Sequence, residues 1–237
     1  MNIRILFDNE TTNEEFSGGW GFSALIDERI LFDTGEQGSY LLHNMALLNV
    51  PVDSIEMVVI SHDHWDHTGG LWAILERREG IEVFACPGFG DDFKRRVGEA
   101  GARLREVAGH TQIAPDIYLT GELAAHYKGE YLAEQSLIAR TSRGLAIVTG
   151  CSHPGILGIV EEVRRTFPQE RIHLAIGGFH LMKEKPQAIR NVIDGLKRIG
   201  VVQVGPTHCT GETAQTLFRE AFGTNSLVVG AGQSFEV

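Results

Sequence analysis

His62-Asp63-His64-Trp65-Asp66-His67 places five potential metal ligands in six consecutive residues. Imidazole nitrogen binds zinc at roughly 2.0–2.1 Å, and carboxylate oxygen binds at similar range. His62 and His64 are two apart, so on extended backbone both project to one side and can share an ion. Asp66 and His67 follow once the chain turns and can face a second ion, and Thr68, Gly69 and Gly70 permit a tight turn and a close helix approach. A lone histidine is ordinarily a packed or solvated side chain. Three histidines with an aspartate in six residues have no packing rationale, because desolvating such groups is costly unless something pairs with them.

Outward from this stretch, Met57-Val58-Val59-Ile60 immediately before it is an all-apolar run, as expected of a strand buried on both faces. A helix is predicted to begin near Thr68. Further upstream, residues 3–8 read as a strand. Residues 20–26 and 29–33 read as a hairpin joined at Asp27-Glu28 and ending in Asp33-Thr34-Gly35. Ser39 to Leu48 carries Leu41, Leu42, Met45 and Leu48 on one helical face and stops before Pro51. Downstream, strands are predicted at 82–86, 103–107, 116–120, 136–140, 145–149, 172–176, 201–204 and 226–229. Helices are predicted at about 156–166, 187–198 and 212–221. No repeat, low-complexity segment or long linker interrupts the pattern, so one domain over residues 1–237 is expected. Early hairpins followed by alternating strands and helices suit an α/β (α+β) fold with two mixed sheets face to face and helices outside.

Composition narrows the partners. With 43% hydrophobic and 22% charged residues the chain reads as an ordinary globular protein. A net charge of −10 argues against nucleic acid, whose binding rests on Lys and Arg. Lys94-Arg95-Arg96 and Arg164-Arg165 read as solvated helix faces. Cys86, Cys151 and Cys209 are odd in number and widely spaced, unlike a disulfide framework. The start, Met1 to Phe7, is interrupted too soon by Asp8 for a signal peptide, and no apolar run approaches the ~20 residues that cross a bilayer. A cytoplasmic protein acting on a small molecule is expected, with no membrane partner; composition does not speak to oligomeric state.

The stretch 62–67 matches the His-x-His-x-Asp-His signature of the metallo-β-lactamase superfamily, and the resemblance extends from residue 29 to 211. Leu31-Phe32-Asp33-Thr34-Gly35 resembles the Asp-containing turn that supports the signature loop. The predicted strand 145–149 is similar to the one that presents a bridging aspartate, and Pro206-Thr207-His208 resembles the turn that supplies the last histidine. The resemblance implies an αββα sandwich with two divalent metal ions at one edge of the sheets. Zinc is the first expectation, although manganese or iron suits the same donors. It also implies that His62, His64 and His153 hold one ion and Asp66, His67 and His208 the other, with Asp66 orienting the attacking water. Where a bridging aspartate is expected the chain has Cys151, which can ligate as a thiolate or be a small buried residue. Gly109-His110-Thr111 mimics another family histidine but lies too early in the chain.

A narrower resemblance rests on Gly150-Cys151-Ser152-His153-Pro154-Gly155, Gly177-Gly178-Phe179-His180-Leu181 and Pro206-Thr207-His208-Cys209-Thr210-Gly211, with Trp20-Gly21-Phe22-Ser23 and Leu41-Leu42-His43-Asn44-Met45. These resemble the subfamily labelled 7,8-dihydropterin-6-methyl-4-(β-D-ribofuranosyl)-aminobenzene-5′-phosphate synthase. Two reactions follow as expectations. One is metal-dependent hydrolysis of a small, phosphate-containing molecule; the alternative is transfer of a pterin to an arylamine with the metals on a pyrophosphate leaving group. His180 can contact substrate, ligate metal or serve structure. Thr210 precedes a helix start that attracts anions, and Trp20, Phe22, Trp65 and Phe179 can stack on a flat ring or belong to the core. His43, His126 and His173 read as structural.

Overall fold

A computed structural model describes residues 1–237. It divides into two compact units, Met1–Ala108 with Gly230–Glu236, and Gly109–Val229 with Val237.

The first unit is built on one mixed sheet. Strands β1 (Asn2–Phe7), β2 (Ser23–Ile26) and β3 (Ile30–Phe32) run antiparallel, with Ser234–Glu236 antiparallel on the outer edge of β1. Asp27 and Glu28, at φ 51° and 59°, turn the β2–β3 hairpin, the left-handed pair that matches strand twist in a tight hairpin. Beyond β3 the sheet becomes parallel through β4 (Met57–Val59), β5 (Glu82–Ala85) and β6 (Arg103–Glu106). Helix α1 (Gly38–Leu47) buries Leu41 and Met45, as their spacing predicts. The helix expected near Thr68 is instead two short ones, α2 (Trp65–Thr68) and α3 (Leu71–Leu75), the first beginning inside the histidine motif. Helix α4 (Asp91–Glu99) buries only Phe93 and Val97. Its Arg95 pairs with Asp92 and Glu99 in water, the solvated face that its charges announced.

The second unit repeats the plan. Its six-stranded sheet has the order β14-β13-β12-β11-β8-β7, formed by β7 (Thr111–Ala114), β8 (Ile117–Leu119), β11 (Leu137–Thr141), β12 (Gly144–Thr149), β13 (Ile172–Gly178) and β14 (Gln203–Thr207). Pairing is antiparallel from β7 to β12 and parallel from β12 to β14. Strands β9 (Leu123–Tyr127) and β10 (Glu130–Glu134) form a separate ribbon. Helices α5 (Ile156–Thr166), α6 (Pro186–Ile199) and α7 (Glu212–Phe222) bury Ile159 and Val163, Ile193 and Leu196, and Leu217 and Phe218 in one core with Leu145 and Ile147 of β12. Each such side chain contributes about 1.5–3 kcal/mol on full burial. Pro186 opens α6 and Gly200, at φ 93°, closes it, the usual asymmetry of helix ends. Residues 226–229, expected as a strand, make one bridge from Ser226 to Val204 and then leave the sheet, with Val228 70% exposed. No helix of the chain is long and apolar enough to cross a membrane.

Both sheets are parallel over one half. The loops after β4, β12, β13 and β14 therefore leave from strand carboxyl ends, where open α/β sheets bind ligands.

His173 on β13 is buried without a hydrogen-bond partner for either ring nitrogen. Burial pushes its pKa below the ordinary 6.5, and the charges of Arg143 and Arg171 push the same way. Between 6.5 and the lower folded value the unfolded chain takes up a proton that the folded chain refuses, so stability declines as pH falls through that window. A His173→Phe variant is expected to lose less melting temperature than the native protein between pH 7.5 and 5.0; equal losses would show that His173 carries none of the pH dependence.

Candidate metal centre

In the first unit, β4 ends at Val59 and the chain reaches His62 within three residues. Asp33, at the end of β3, is fully buried behind that loop. Its Oδ1 accepts the Ser61 amide at 2.7 Å, and its Oδ2 accepts both the Ser61 hydroxyl and the His67 Nδ1–H at 2.7 Å. Ser61 has one proton and spends it on Asp33, so its Oγ accepts from His62 Nδ1–H at 2.8 Å. Two imidazoles are thus fixed with Nδ1 protonated, leaving the Nε2 lone pairs of His62 and His67 for a ligand.

Those lone pairs face the neighbouring donors. His62 Nε2 lies 3.1 Å from His64 Nδ1. Two nitrogens on one tetrahedral zinc at ~2.0 Å stand about 3.3 Å apart, so the spacing suits a shared cation. His67 Nε2 lies 3.6 Å from Asp66 Oδ2, and the rings of His62 and His67 are 4.2 Å apart. The motif therefore offers two adjacent donor pairs. Asp63, its remaining acid, accepts the Gly90 amide at 3.2 Å instead, and burial raises its pKa. Gly69 and Gly70 permit the close approach expected of them: a Cβ would stand 2.1 Å from the Glu36 carbonyl oxygen at Gly69 and 2.2 Å from that of Thr34 at Gly70. Burial raises the Asp33 carboxyl, while His67 and Ser61 oppose it.

In the second unit, the loops after β12, β13 and β14 carry Cys151 and His153, Phe179 and His180, and His208. Sequence reasoning missed the residue that organises them. Glu134, fully buried at the end of β10, accepts the backbone amides of Cys151, Ser152 and His153 at 3.2, 2.7 and 2.8 Å, and His153 Nδ1–H at 2.8 Å. Burial alone would raise its pKa, but the His153 ring and these amides hold it below the usual 4.5. His153 consequently presents Nε2, as His62 and His67 do. The only sequence signal was an acid beside Ala133 at the end of a ribbon whose solvent side is polar.

The ligand atoms of Cys151, His153 and His180 lie within 4.8 Å of one another. His180 sits at φ 52°, and its ring is 4.5 Å from that of His153 and 5.9 Å from that of Tyr127. A hydrogen bond with the Cys209 thiol is the main cause raising the His180 pKa. Cys209 Sγ lies 3.6 Å from the Cys151 carbonyl oxygen and can do so because Gly178 stands between: a Cβ there would meet that sulfur at 2.6 Å. Burial would raise the Cys209 thiol, but Cys151 and the imidazoles of His180 and His208 hold it well below its usual value. His208, buried at φ 50°, opens the turn after β14.

The remaining candidates take varied places. Thr210 is buried, and its Oγ1 accepts the Phe179 amide at 2.9 Å. Phe179 packs edge-on against Phe218, centroids 5.5 Å apart, in the core of the second unit. Phe22 is buried, edge-on to Phe32 at 6.5 Å. Trp20 and Trp65 are exposed in the first unit. His110 stacks on Tyr118 at 5.3 Å, His43 contacts the Glu15 carbonyl oxygen at 2.9 Å, and His126 lies edge-on to Tyr131.

The donor chemistry fits divalent cations. Three imidazoles have their lone pairs fixed by carboxylate or hydroxyl partners behind them, the arrangement that orients metal-binding histidines, and a buried carboxylate and thiol stand nearby in their respective units.

Comparison with known proteins agrees with this chemistry. Residues 28–145 match the family model of the beta-lactamase superfamily domain. The chain is 31% identical to the 7,8-dihydropterin-6-methyl-4-(β-D-ribofuranosyl)-aminobenzene-5′-phosphate synthase of Methanocaldococcus jannaschii, covering 89% of this chain and 87% of that one. An uncharacterised protein of the same organism is 30% identical over 90% of this chain and 92% of its own. Among solved structures, Tm1679, a metal-dependent hydrolase of the beta-lactamase superfamily, superposes with a TM-score of 0.85 at 31% identity, covering 100% of this chain and 99% of its own. YhfI from Bacillus subtilis, a metallo-β-lactamase fold protein, has a TM-score of 0.69 at 12% identity, covering 99% and 98%, and so shares the fold alone. The α/β fold expected from the motif is the one the chain has, and the chain belongs to the metallo-β-lactamase superfamily.

Proposed function

We propose that the chain is a two-metal enzyme that hydrolyses a small, phosphate-containing molecule. His62, His64 and His153 would hold one divalent cation and Asp66, His67 and His208 the second, with Cys151 a further candidate ligand. The observation that carries this reading is the set of Nε2 lone pairs fixed by Asp33, through His67 and Ser61, and by Glu134. Each donor pair of the motif would need a further imidazole to hold a cation, the role proposed for His153 and His208. Membership of a metal-dependent superfamily supports the same reading.

Zinc is the first choice of cation for imidazole with carboxylate, and manganese or iron suits the set as well. Two such cations supply Lewis acidity, lowering the pKa of water from 15.7 toward about 7 and polarising a phosphoryl oxygen. The protein's own groups do the rest. Asp66 accepts a hydrogen bond from the attacking water and orients it. Asp33 and Glu134 keep the imidazoles from rotating and keep their protons on Nδ1. His180, exposed beside His153, contacts the substrate. Thr210 and Phe179 act through the backbone they hold, and Trp20 is a surface on which a ring can stack.

A second reading follows from the relative named as a synthase. In this reading an arylamine nitrogen would attack a pterin methylene carbon, the C–O bond to the pyrophosphate leaving group breaking as the C–N bond forms and the amine losing a proton, and the cations would supply charge to the departing pyrophosphate. Incubating zinc-loaded protein with a dihydropterin pyrophosphate, with and without an aminobenzene ribotide, separates the two. Phosphate release unaffected by the amine supports hydrolysis, whereas an adduct formed with stoichiometric pyrophosphate supports transfer and contradicts the first reading.

The ligand assignment has its own test. His64→Ala is expected to retain less than two cations per chain by elemental analysis and to lose turnover. Glu134→Gln, whose amide nitrogen cannot accept, keeps at most the Cys151 and Ser152 amides on its one oxygen and loses the hold on the His153 amide and ring, and should lower metal affinity about 10–100-fold. Native-like metal content and affinity in both variants would contradict the assignment.

A further inference from the structure

Within the second unit, the first turn of α5 and the N-terminal half of α6 line an open cavity of about 420 Å³. Its walls are apolar, formed by Ile156, Leu157, Leu181 and Val192 with the small residues Gly158 and Ala188. Its polar lining is Ser152, His153 and His180, with the exposed Glu184. Its volume lies within the roughly 300–1,000 Å³ range of small-molecule sites. The cavity also opens at the carboxyl ends of parallel strands β12 and β13, where such sheets take ligands.

Gly158 gives the second argument. It lies inside α5, where glycine is among the poorest helix formers. A Cβ at Gly158 would meet nothing within 4 Å, and the same holds at Gly155. Gly195 on α6 is the contrast: a Cβ there would strike Leu157 at 2.7 Å, so helix packing requires it. Packing does not require Gly158, which is exposed at the mouth of the cavity, so a large side chain there has room to cover the opening.

The geometry points to this cavity as the subsite for an uncharged, apolar group of about ring size on the substrate, held beside His153 while the reacting phosphate lies at the cations. The inference rests on the proposed two-metal reading for its phosphate, but the cavity itself does not. A phosphate ester of an apolar or aromatic alcohol fits these walls. A polyol phosphate, whose hydroxyls would find no partners on Ile156, Leu157 and Val192, does not.

Calorimetric titration of zinc-loaded protein with inorganic phosphate, 1-naphthyl phosphate and 1-naphthol tests this, using the native chain, Gly158→Phe and, as an independent obstruction from α6, Val192→Trp. The native protein is expected to bind 1-naphthyl phosphate at least about ten-fold more tightly than inorganic phosphate. Both variants should lose that preference while keeping the zinc content and the affinity for inorganic phosphate, and Gly158→Phe should melt no lower than the native chain. A preference that survives in both variants, or is absent from the native protein, overturns the subsite. If inorganic phosphate fails to bind at all, the phosphate reading falls alone. The cavity is then judged on 1-naphthol, whose binding must be present in the native chain and lost in Gly158→Phe.

Discussion

A fully buried carboxylate behind an imidazole is the interaction on which the candidate centre depends. Leaving an acid unpaired in an apolar interior is prohibitively costly, so Asp33 and Glu134 persist only because each is saturated with hydrogen bonds. Asp33 takes the Ser61 amide, the Ser61 hydroxyl and the His67 ring; Glu134 takes three consecutive amides and the His153 ring. Satisfying the acid and aiming the histidine are one event. Because the imidazole proton is committed to the acid, the opposite nitrogen is left as a lone pair, and that lone pair is what a cation needs. The two units, built on separate sheets, reach the same solution with different acids.

Topology explains where this happens. In each sheet an antiparallel half meets a parallel half, and only parallel strands send successive loops out of the same end. Strands β12, β13 and β14 lie side by side, so Cys151, His153, His180 and His208, up to 57 residues apart in sequence, emerge next to one another. Glycine makes the crowding tolerable. Without a side chain, Gly178 lets Cys209 pass over the end of β13 toward Cys151, and Gly69 and Gly70 let the backbone after the motif lie against Thr34 and Glu36.

Much of this was legible in the sequence because the relevant pattern was local. The motif at 62–67, the hairpin turning at Asp27-Glu28 and the amphipathic helices α1, α5, α6 and α7 all declare themselves within a dozen residues. Asp33 was legible through its turn. What stayed hidden was non-local or solvent-facing. Glu134 is 19 residues from His153, and no periodicity links them. Ribbon β9–β10 has an exposed, polar side and is not a recognisable buried strand, while residues 226–229 are apolar enough to suggest a strand but leave the sheet after one bridge. The motif also conceals a helix start, because α2 spans only Trp65–Thr68, too short to show an amphipathic period.

The proposed assignment puts these lone pairs on two cations. Anomalous diffraction from zinc-loaded crystals, recorded on both sides of the zinc absorption edge, measures this directly. Two peaks are expected, one bonded to His62, His64 and His153 and the other to Asp66, His67 and His208. A single peak, or zinc bound elsewhere with Nε2 of His62, His67 and His153 uncoordinated, would contradict it.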